Sequence, residues 1–363
     1  MPYTLINTPD ALAAAAERWV RSEFLAVDTE FIRVDTYYPQ LCLVQIRDQQ
    51  ESSLVDTIAL NDLTPLLDAL YTPGVIKLFH AAGQDLEILV RLRGRCPQPL
   101  FDAQIAATLL GIGDQIGYAG LIDKRLGITL DKSLSRTNWA RRPLTGPEMD
   151  YAAADVEYLA QIYPELQAML VERGRLAWMA EDCARLCESD QYVTLPHDAW
   201  QRLRILSRLN AREQTVAAAL AAWRETEAQE RDRPRKWILD DEPLYRLAQR
   251  RPGTEAELSA LNVLPPKTLA RHTTALLACI AAALEQPERR LVVDDELDAS
   301  AKVRLKALQA VVQDRAQALD LPVGYLAPRA DLIRLLRLGA QANANVLRGW
   351  RREVCGEALL AAL

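Results

Sequence analysis

The stretch that most constrains the fold is an apolar run at residues 24–46, which carries two carboxylates, Asp28 and Glu30, near its start. The FLAV and LCLVQI segments at its two ends predict buried strands, and the Tyr-Tyr-Pro sequence between them predicts a turn. Because side chains two apart on a strand share a face, Asp28 and Glu30 are expected side by side, roughly 7 Å apart along the backbone. A buried strand pair that carries two neighbouring acids needs a physical explanation.

Two interpretations of this acidic pair are open. Two anions that close in a low-dielectric sheet repel each other and lose hydration, so they stay ionised only where cations join them. Carboxylate oxygens suit Mg²⁺ or Mn²⁺, which bind through a few carboxylates together with substrate phosphates. In the other interpretation the strand ends at the acids, which simply face solvent. Further acids that converge on the pair would favour a metal site.

Two later segments supply such acids. Residues 75–80 predict a strand and residues 82–92 a helix with Asp85 near its first turn, and strand ends and helix starts line the cleft in open sheets of this kind. The helix dipole alone also favours a carboxylate there. Further along, a capping box (TGPE) opens a long helix on which Tyr151 and Asp155, four apart, share one face. A Tyr-x-x-x-Asp pair is common by chance, so its significance depends on the other acids.

The order of predicted elements indicates an α/β domain followed by helices. After a helix at 10–20 we expect an antiparallel meander of three strands, the third at 53–56. A helix and the strand at 75–80 follow, and from there we expect only helices, including one at 101–110. Pro196 interrupts the helical pattern and marks a connector between domains.

Composition excludes several classes of protein. The 363 residues, half of them hydrophobic, suffice for two or three domains. The six cysteines include no Cys-x-x-Cys and the three histidines lie far apart, which argues against a zinc site and fits reduced thiols. Glu17 and Arg18 interrupt the N-terminal Ala-rich run, so we expect no signal peptide, no membrane segment and a cytoplasmic protein.

Charge is distributed unevenly along the chain. Residues 201–363 carry 26 Lys and Arg against 21 Asp and Glu, whereas the whole chain has a net charge of −6. The acidic first part is therefore expected to be catalytic and the basic second part to hold a polyanion, although so modest an excess is also compatible with an ordinary surface.

Three segments together resemble a known family. FLAVDTEFIRVDTYYPQLCLVQI, FHAAGQDLEIL and NWARRPLTGPEMDYAAADVEYLAQIYP are similar, in this order, to the three motifs of the ribonuclease D family in the DEDD exonuclease superfamily. The tyrosine four residues before the last acid is typical of the subgroup with Tyr rather than His. The resemblance implies an RNase H-like α/β exonuclease domain with a mixed sheet. It also implies 3′ to 5′ removal of nucleoside monophosphates from RNA, especially tRNA precursors.

The resemblance also assigns roles to the motif residues. It implies two divalent ions, Mg²⁺ or Mn²⁺, held by four carboxylates: Asp28, Glu30, Asp85 and Asp155. Two such ions activate a water and stabilise the leaving oxygen in phosphodiester cleavage. Tyr151 is implied to orient the attacking water. A phenol with an ordinary pKa of about 10 is a poor base at pH 7, so a hydrogen-bonding role suits this tyrosine better than proton abstraction.

Three residues beside the motif acids are candidate substrate contacts. Phe31 matches a family position that packs near the terminal base, but strand alternation also allows a core phenylalanine that faces away from the acids. Gln45 lies in the LCLVQI strand and His80 just ahead of the Asp85 helix. His80 is equally compatible with a core histidine.

The remainder of the chain resembles the paired HRDC domains of the same family. We predict an exonuclease domain at 1–200, a first HRDC domain at 208–288 and a second, degenerate HRDC-like domain at 297–363, for which packing is an alternative role. A basic cluster in the first is expected to contact RNA phosphates without reading sequence. Its members are Arg231, Arg233, Arg235 and Lys236. We expect the protein to be a monomer.

Two other functions use the same sequence features. A DNA 3′ to 5′ exonuclease would need the same carboxylates, and only contacts to a 2′-hydroxyl would distinguish it from a ribonuclease. A non-catalytic nucleic-acid scaffold is compatible with the HRDC-like regions alone, but it predicts that motif acids are missing.

Overall fold

The computed structural model describes residues 2–131, 133–134, 137–291 and 297–363 of the chain. They form two compact units. The one that contains the β-sheet, named the sheet unit, comprises Met1–Ile32, Leu41–Tyr192 and Leu297–Leu363. The other, named the helical unit, comprises Arg33–Gln40 and Val193–Glu296.

A mixed sheet organises the sheet unit. Its strands in the described residues are β1 (Tyr3–Ile6), β2 (Phe24–Ile32), β3 (Gln40–Arg47), β4 (Ser52–Asp56), β5 (Ile76–Phe79) and β6 (Leu100–Asp102). Their order across the sheet is β1-β4-β3-β2-β5-β6. The β3–β4 pair is antiparallel, whereas β1–β4, β2–β5 and β5–β6 are parallel. The predicted α/β fold with a mixed sheet is therefore confirmed.

Helices pack against this sheet. They are α1 (Pro9–Trp19), α2 (Thr64–Leu70), α3 (Gly83–Arg93), α4 (Ala103–Leu109), α5 (Tyr118–Leu126), α6 (Gly146–Glu172) and α7 (Leu176–Leu186). The long helix α6 begins at the predicted capping box, in which the Glu148 carboxylate accepts the Thr145 backbone N–H at 2.8 Å. This cap fixes the start of the helix that carries Tyr151 and Asp155.

Alternation along β2 determines where its acids point. Leu25 packs into a core with Trp19 of α1, whereas its neighbour Ala26 packs into a different core with Val156 of α6. The two acids of β2 follow Ala26 by two and four residues, so they continue its face of the sheet. The acids of β2 therefore lie on the face that α6 covers.

The C-terminal segment belongs to the sheet unit. It consists of α13 (Ala299–Leu319), α14 (Val323–Leu326), α15 (Arg329–Leu338), α16 (Gly349–Arg351) and α17 (Glu357–Ala361). Leu308 of α13 shares one core with Val156 of α6, and the Arg175 guanidinium donates to the carbonyl oxygens of Leu109 and Leu319. The segment therefore packs as part of the sheet unit's core, and its assignment as a second HRDC domain stays a prediction.

The helical unit has a core of its own. Its helices are α8 (Ala211–Glu230), α9 (Arg235–Ile238), α10 (Asp241–Arg250), α11 (Glu255–Ala260) and α12 (Pro266–Glu285). Leu220, Leu247 and Leu276 from three of them pack together. Within the described ranges, each helix is too short or too polar to cross a lipid bilayer.

The expectation of helices alone after β5 is wrong. Leu100–Asp102 forms the strand β6, in which Phe101 pairs with Leu78 of β5, and Asp102 then caps α4 by accepting the Gln104 N–H at 2.8 Å. An apolar pair followed by helix formers fits one continuous helix equally well, and only pairing with β5 decides otherwise. The strand β1 was also not expected, and it pairs in parallel with β4 at the edge of the sheet.

Candidate active site

Three of the four predicted acids meet at one point of the sheet unit. Asp28 and Glu30 from β2 and Asp155 from α6 each offer one carboxylate oxygen, and these oxygens all lie within 4.8 Å of one another. All three side chains are half-buried. Strand alternation supplies the first two, and the apolar stripe of α6 that includes Leu159 holds the third against the same face. One cation could bind all three carboxylates.

Asp85, the fourth predicted acid, lies beside this cluster. It sits in the first turn of α3 and its side chain is buried. Its Oδ1 accepts a 2.5 Å hydrogen bond from the hydroxyl of Thr29, the residue between the two acids of β2. Asp85 thus adjoins the strand that carries Asp28 and Glu30, and its role as a metal ligand stays a prediction.

Burial raises the pKa of all four acids, and the charge of a neighbouring acid raises it further in three of them. Burial, and then the charges of the other three acids, raise the pKa of Glu30 to about 9. Burial and the Asp155 charge raise the pKa of Asp28, and burial raises that of Asp155. Burial and then Asp28 raise the pKa of Asp85 well above its ordinary value. The cluster therefore concentrates negative charge that a bound cation would stabilise.

Tyr151 lies one helical turn before Asp155 on α6. Its half-buried ring lies 6.2 Å from that of Trp139, measured between centroids. Burial and then the charges of Asp155, Glu30 and Asp28 raise the pKa of Tyr151, so the phenol is protonated at neutral pH. Its hydroxyl can donate a hydrogen bond into the site but is a poor proton acceptor.

Sequence reasoning missed two residues that support the acids. Thr29 holds Asp85, and it could have been found from its position between the two acids of β2. The Tyr118 hydroxyl donates to the carbonyl oxygen of Ala154 at 2.7 Å, directly before Asp155. No local pattern signals Tyr118, because its partner lies on another helix.

The three predicted substrate contacts of the sheet unit have different environments. Gln45 is fully buried, and its Nε2 lies 3.5 Å from Asp28 Oδ2 as a donor, so its amide orients a carboxylate of the cluster. Phe31 is half-buried in β2, and alternation places it on the opposite face from Glu30. The His80 ring lies edge-on to Tyr118, and burial lowers its pKa, so it is neutral at pH 7.

The predicted basic cluster lies in the helical unit, and most of it is paired internally. Arg231 binds the Glu227 carboxylate at 2.6 Å, and Arg233 donates to the carbonyl oxygen of Asp35 at 3.0 Å. Arg235 pairs with Glu225 through two nitrogens. Lys236 is exposed, and within the described residues it forms no ion pair. As phosphate contacts, all four stay predictions.

Convergent, half-buried carboxylates on a mixed sheet, with a protonated tyrosine beside them, fit the site of a metal-dependent nuclease, and the family match specifies the 3′ to 5′ exonuclease class. Residues 3–171 match the 3′-5′ exonuclease family, and residues 200–280 match the HRDC domain family. The first match covers all four acids and Tyr151. The second lies in the helical unit and confirms an HRDC domain there.

Full-length relatives specify the family. The chain is 39% identical to ribonuclease D of Sphingobium indicum, covering 98% of this chain and 92% of the relative, and 38% identical to that of Pseudomonas paraeruginosa, covering 99% and 96%. The crystal structure of Escherichia coli RNase D, described as an exoribonuclease involved in structured RNA processing, is similar to the structure of this chain, with a TM-score of 0.91 and 34% identity. The match covers 100% of this chain and 99% of that one. The chain belongs to the ribonuclease D family and is a 3′ to 5′ exoribonuclease.

The donor set at the site fits a divalent metal, as this exonuclease fold implies. The cluster offers hard carboxylate oxygens, which Mg²⁺ and Mn²⁺ prefer, and it lacks the sulfur and imidazole ligands typical of zinc. Among the residues that the structure describes, none of the four acids forms an ion pair with Lys or Arg, so their charge is left for another cation.

Proposed function

We propose that this protein trims the 3′ ends of tRNA precursors and other structured RNAs, releasing one nucleoside monophosphate at a time. The observation that carries this proposal is the cluster of Asp28, Glu30 and Asp155 oxygens within 4.8 Å of one another, with Asp85 and Tyr151 beside it. Relatives named ribonuclease D, over almost the whole chain, support RNA rather than DNA as the substrate.

Two divalent ions, Mg²⁺ or Mn²⁺, would be held by four carboxylates: Asp28, Glu30, Asp85 and Asp155. When bound, such ions acidify water and offset the charge of the phosphodiester. The Gln45 amide orients the Asp28 carboxylate, and the Thr29 hydroxyl orients that of Asp85. The protein's own contribution is thus to hold four carboxyl groups in one place. Because burial raises the pKa of these groups, it is the bound cations that would keep them ionised.

Tyr151 is assigned the positioning of the attacking water. Its hydroxyl stays protonated at neutral pH, because burial and the neighbouring acids raise its pKa. A protonated phenol can donate a hydrogen bond to one lone pair of the water, which fixes the orientation of the water and leaves the other lone pair to attack phosphorus. His80, near Asp85 in sequence, is assigned a contact to the terminal nucleotide. The same contact for Phe31 stays a prediction that its position on the opposite face of β2 from Glu30 does not support.

The direct test uses RNA and DNA of equal sequence, labelled at the 5′ end. With Mg²⁺ or Mn²⁺ we expect a ladder of shortening RNA products, little change in DNA, and no products after chelation. Endonucleolytic fragments, equal degradation of DNA, or activity that survives chelation would contradict the proposal. A tRNA with an extended 3′ end then tests the assigned substrate against an unstructured RNA of the same length.

We also propose the compartment and the oligomeric state in which this protein acts. The six cysteines lie within the described residues and all have free thiols, which supports a reducing compartment such as the cytoplasm.

We expect a monomer. Sedimentation of the purified protein at micromolar concentration tests this, and a concentration-dependent increase in mass would contradict it.

A further inference from the structure

The loop Arg33–Gln40 has an unusual place in the chain. It connects β2, the strand of Asp28 and Glu30, to β3, the strand of Gln45. Although both strands lie in the sheet, the loop itself belongs to the helical unit. The backbone therefore leaves the active-site strand at Ile32 and directly enters a segment that the helical unit holds.

Tyr37 is the main side-chain anchor of this loop. Its hydroxyl donates to the Glu225 carboxylate and accepts hydrogen bonds from Gln229 Nε2 at 3.1 Å and Arg235 Nη2 at 2.8 Å. The Arg235 guanidinium also lies over the Tyr37 ring, 4.6 Å from its centroid. A single tyrosine thus binds three side chains of the helical unit, two of them charged.

The loop backbone is anchored as well. One oxygen of Asp232 accepts the backbone N–H groups of Tyr37 and Tyr38, both at 3.0 Å. Asp232 has a φ of +47°, a conformation that aspartate tolerates better than most residues. Arg233, the next residue, donates to the carbonyl oxygen of Asp35 at 3.0 Å. Side-chain and backbone contacts together fix both the direction and the register of the loop.

The anchor is balanced in charge, which suits an internal contact rather than a ligand site. The Glu225 side chain is 1% exposed, and Arg235 binds it through Nε at 2.5 Å and Nη2 at 2.7 Å. Burial raises the pKa of Glu225, but Arg235 and the Tyr37 hydroxyl more than offset this, so the net shift is downward. The carboxylate is therefore ionised at neutral pH, with its partners already in place.

We propose that Tyr37 is a positioning residue for the exonuclease reaction: by fixing the loop that follows β2, it keeps the end of that strand, with Glu30, in register with Asp155. This inference rests on the proposed function and adds a second role for the HRDC-containing unit besides holding RNA. Glu30 lies two residues before the end of β2, so a loosened loop allows that end to shift. Displacements of about 1 Å at reacting groups cost up to about a hundredfold in rate.

The test compares Tyr37→Phe with Tyr245→Phe in the full-length protein. Tyr37→Phe keeps the ring over Arg235 and removes only the hydroxyl contacts. Tyr245 is the matched control, since it is a buried tyrosine of the same unit whose hydroxyl accepts from the Ile205 N–H at 3.4 Å and does not contact the loop. The substrate is a 5′-labelled RNA trinucleotide, which is too short to depend on RNA held elsewhere.

For Tyr37→Phe we expect kcat on the trinucleotide to fall about tenfold, with KM changed less than twofold and a higher Mn²⁺ concentration for half-maximal rate. The control should keep the wild-type kcat and Mn²⁺ midpoint. Wild-type kcat and Mn²⁺ midpoint for Tyr37→Phe would overturn the inference, as would an equal loss in both variants. An inactive wild-type protein would instead refute the proposed function.

A second variant keeps the test decisive if the tyrosine change destabilises the protein. Asp232→Gly removes the acceptor of the two loop N–H groups, and glycine tolerates the positive φ without strain. Its kcat should fall in the same direction, while thermal unfolding stays close to that of wild type. A lower melting temperature with full kcat on the trinucleotide would show a merely structural anchor and contradict the positioning role.

Discussion

The acids of the sheet-unit cluster and Glu225 of the helical unit are all withdrawn from water, fully or in part, but they differ in what balances their charge. Glu30 in the sheet unit has other carboxylates as neighbours, and burial and their charges raise its pKa to about 9. Glu225 in the helical unit has Arg235 and Tyr37 as partners, which outweigh its burial and lower its pKa. Unbalanced buried charge indicates a site that awaits a ligand, whereas balanced charge indicates internal structure.

The contrast also changes the expected role of the basic cluster. Arginines that sequence reasoning assigned to RNA phosphates are occupied by Glu227, Asp35 and Glu225. A guanidinium already paired with a carboxylate gives up that pair to bind a phosphate, which reduces its net contribution to affinity. We therefore expect the exposed Lys236 to contribute more to phosphate binding than the paired arginines.

The largest expected effect follows from removing one acid of the unbalanced group. Asp28→Asn should lower exonuclease kcat by about a thousandfold or more, because the metal ligands act as a unit. RNA affinity, measured by filter binding in chelator, should change less than about twofold, since no RNA-binding cation is removed. The metal-free variant should also unfold at a higher temperature than wild type, because the free-energy cost of burying the Asp28 carboxyl beside Asp155 is gone. Undiminished turnover would refute the assignment.

Tyr151→Phe should have the next largest effect. Loss of one hydrogen-bond donor to the attacking water predicts a fall in kcat of about ten- to a hundredfold. The Mn²⁺ concentration for half-maximal rate should stay unchanged, because a phenol with a raised pKa is not a metal ligand at neutral pH. A large shift of that midpoint would indicate that Tyr151 binds or orients the metal instead.

The pH dependence of stability provides a third test. Between the ordinary value of 4.5 and about 9, the folded protein binds more protons at Glu30 than the unfolded chain does. The free energy of unfolding should therefore fall as pH rises through this window, by about 4 kcal/mol between pH 5.5 and 8.5, and Mn²⁺ should restore it. Chemical denaturation in chelator at pH 5.5 and 8.5 measures the loss. Asp28→Asn should flatten it, and a metal-free stability that rises with pH would contradict the account.

Neutralising Glu225, whose charge is balanced by its partners, should destabilise the protein, in contrast to neutralising Asp28. Glu225→Gln leaves the Arg235 guanidinium without its charged partner, so the free energy of unfolding should fall by about 1 to 2 kcal/mol. The same chemical change at Asp28 is expected to stabilise the metal-free protein. Equilibrium denaturation of both variants in chelator checks the pair, and shifts of equal sign would remove the distinction between the two groups.

How far the sequence predicts this molecule depends on the range of the interactions. Asp28 and Glu30 were predictable as neighbours because alternation within one strand places them. Helical spacing places Asp155 only relative to Tyr151, and its role beside the acids of β2 was implied by the resemblance to the exonuclease motifs. The strand β6 and the partners of Arg233 and Arg235 were not predictable, because they depend on pairing between distant segments. Local periodicity thus predicts the pair of acids on β2 but not the distant residues that join, surround or balance them.

Binding of Mn²⁺ tests the central claim most directly, because it measures whether the clustered acids bind a metal and requires no substrate. Electron paramagnetic resonance titration at pH 7.5 should detect saturable Mn²⁺ binding by wild type and by Asp48→Asn, a control acid that is already paired with Arg18 at 2.6 Å. Asp28→Asn should lose that binding. Equal Mn²⁺ binding by Asp28→Asn, or none by wild type, would contradict the claim that the clustered acids of β2 and α6 form the metal site.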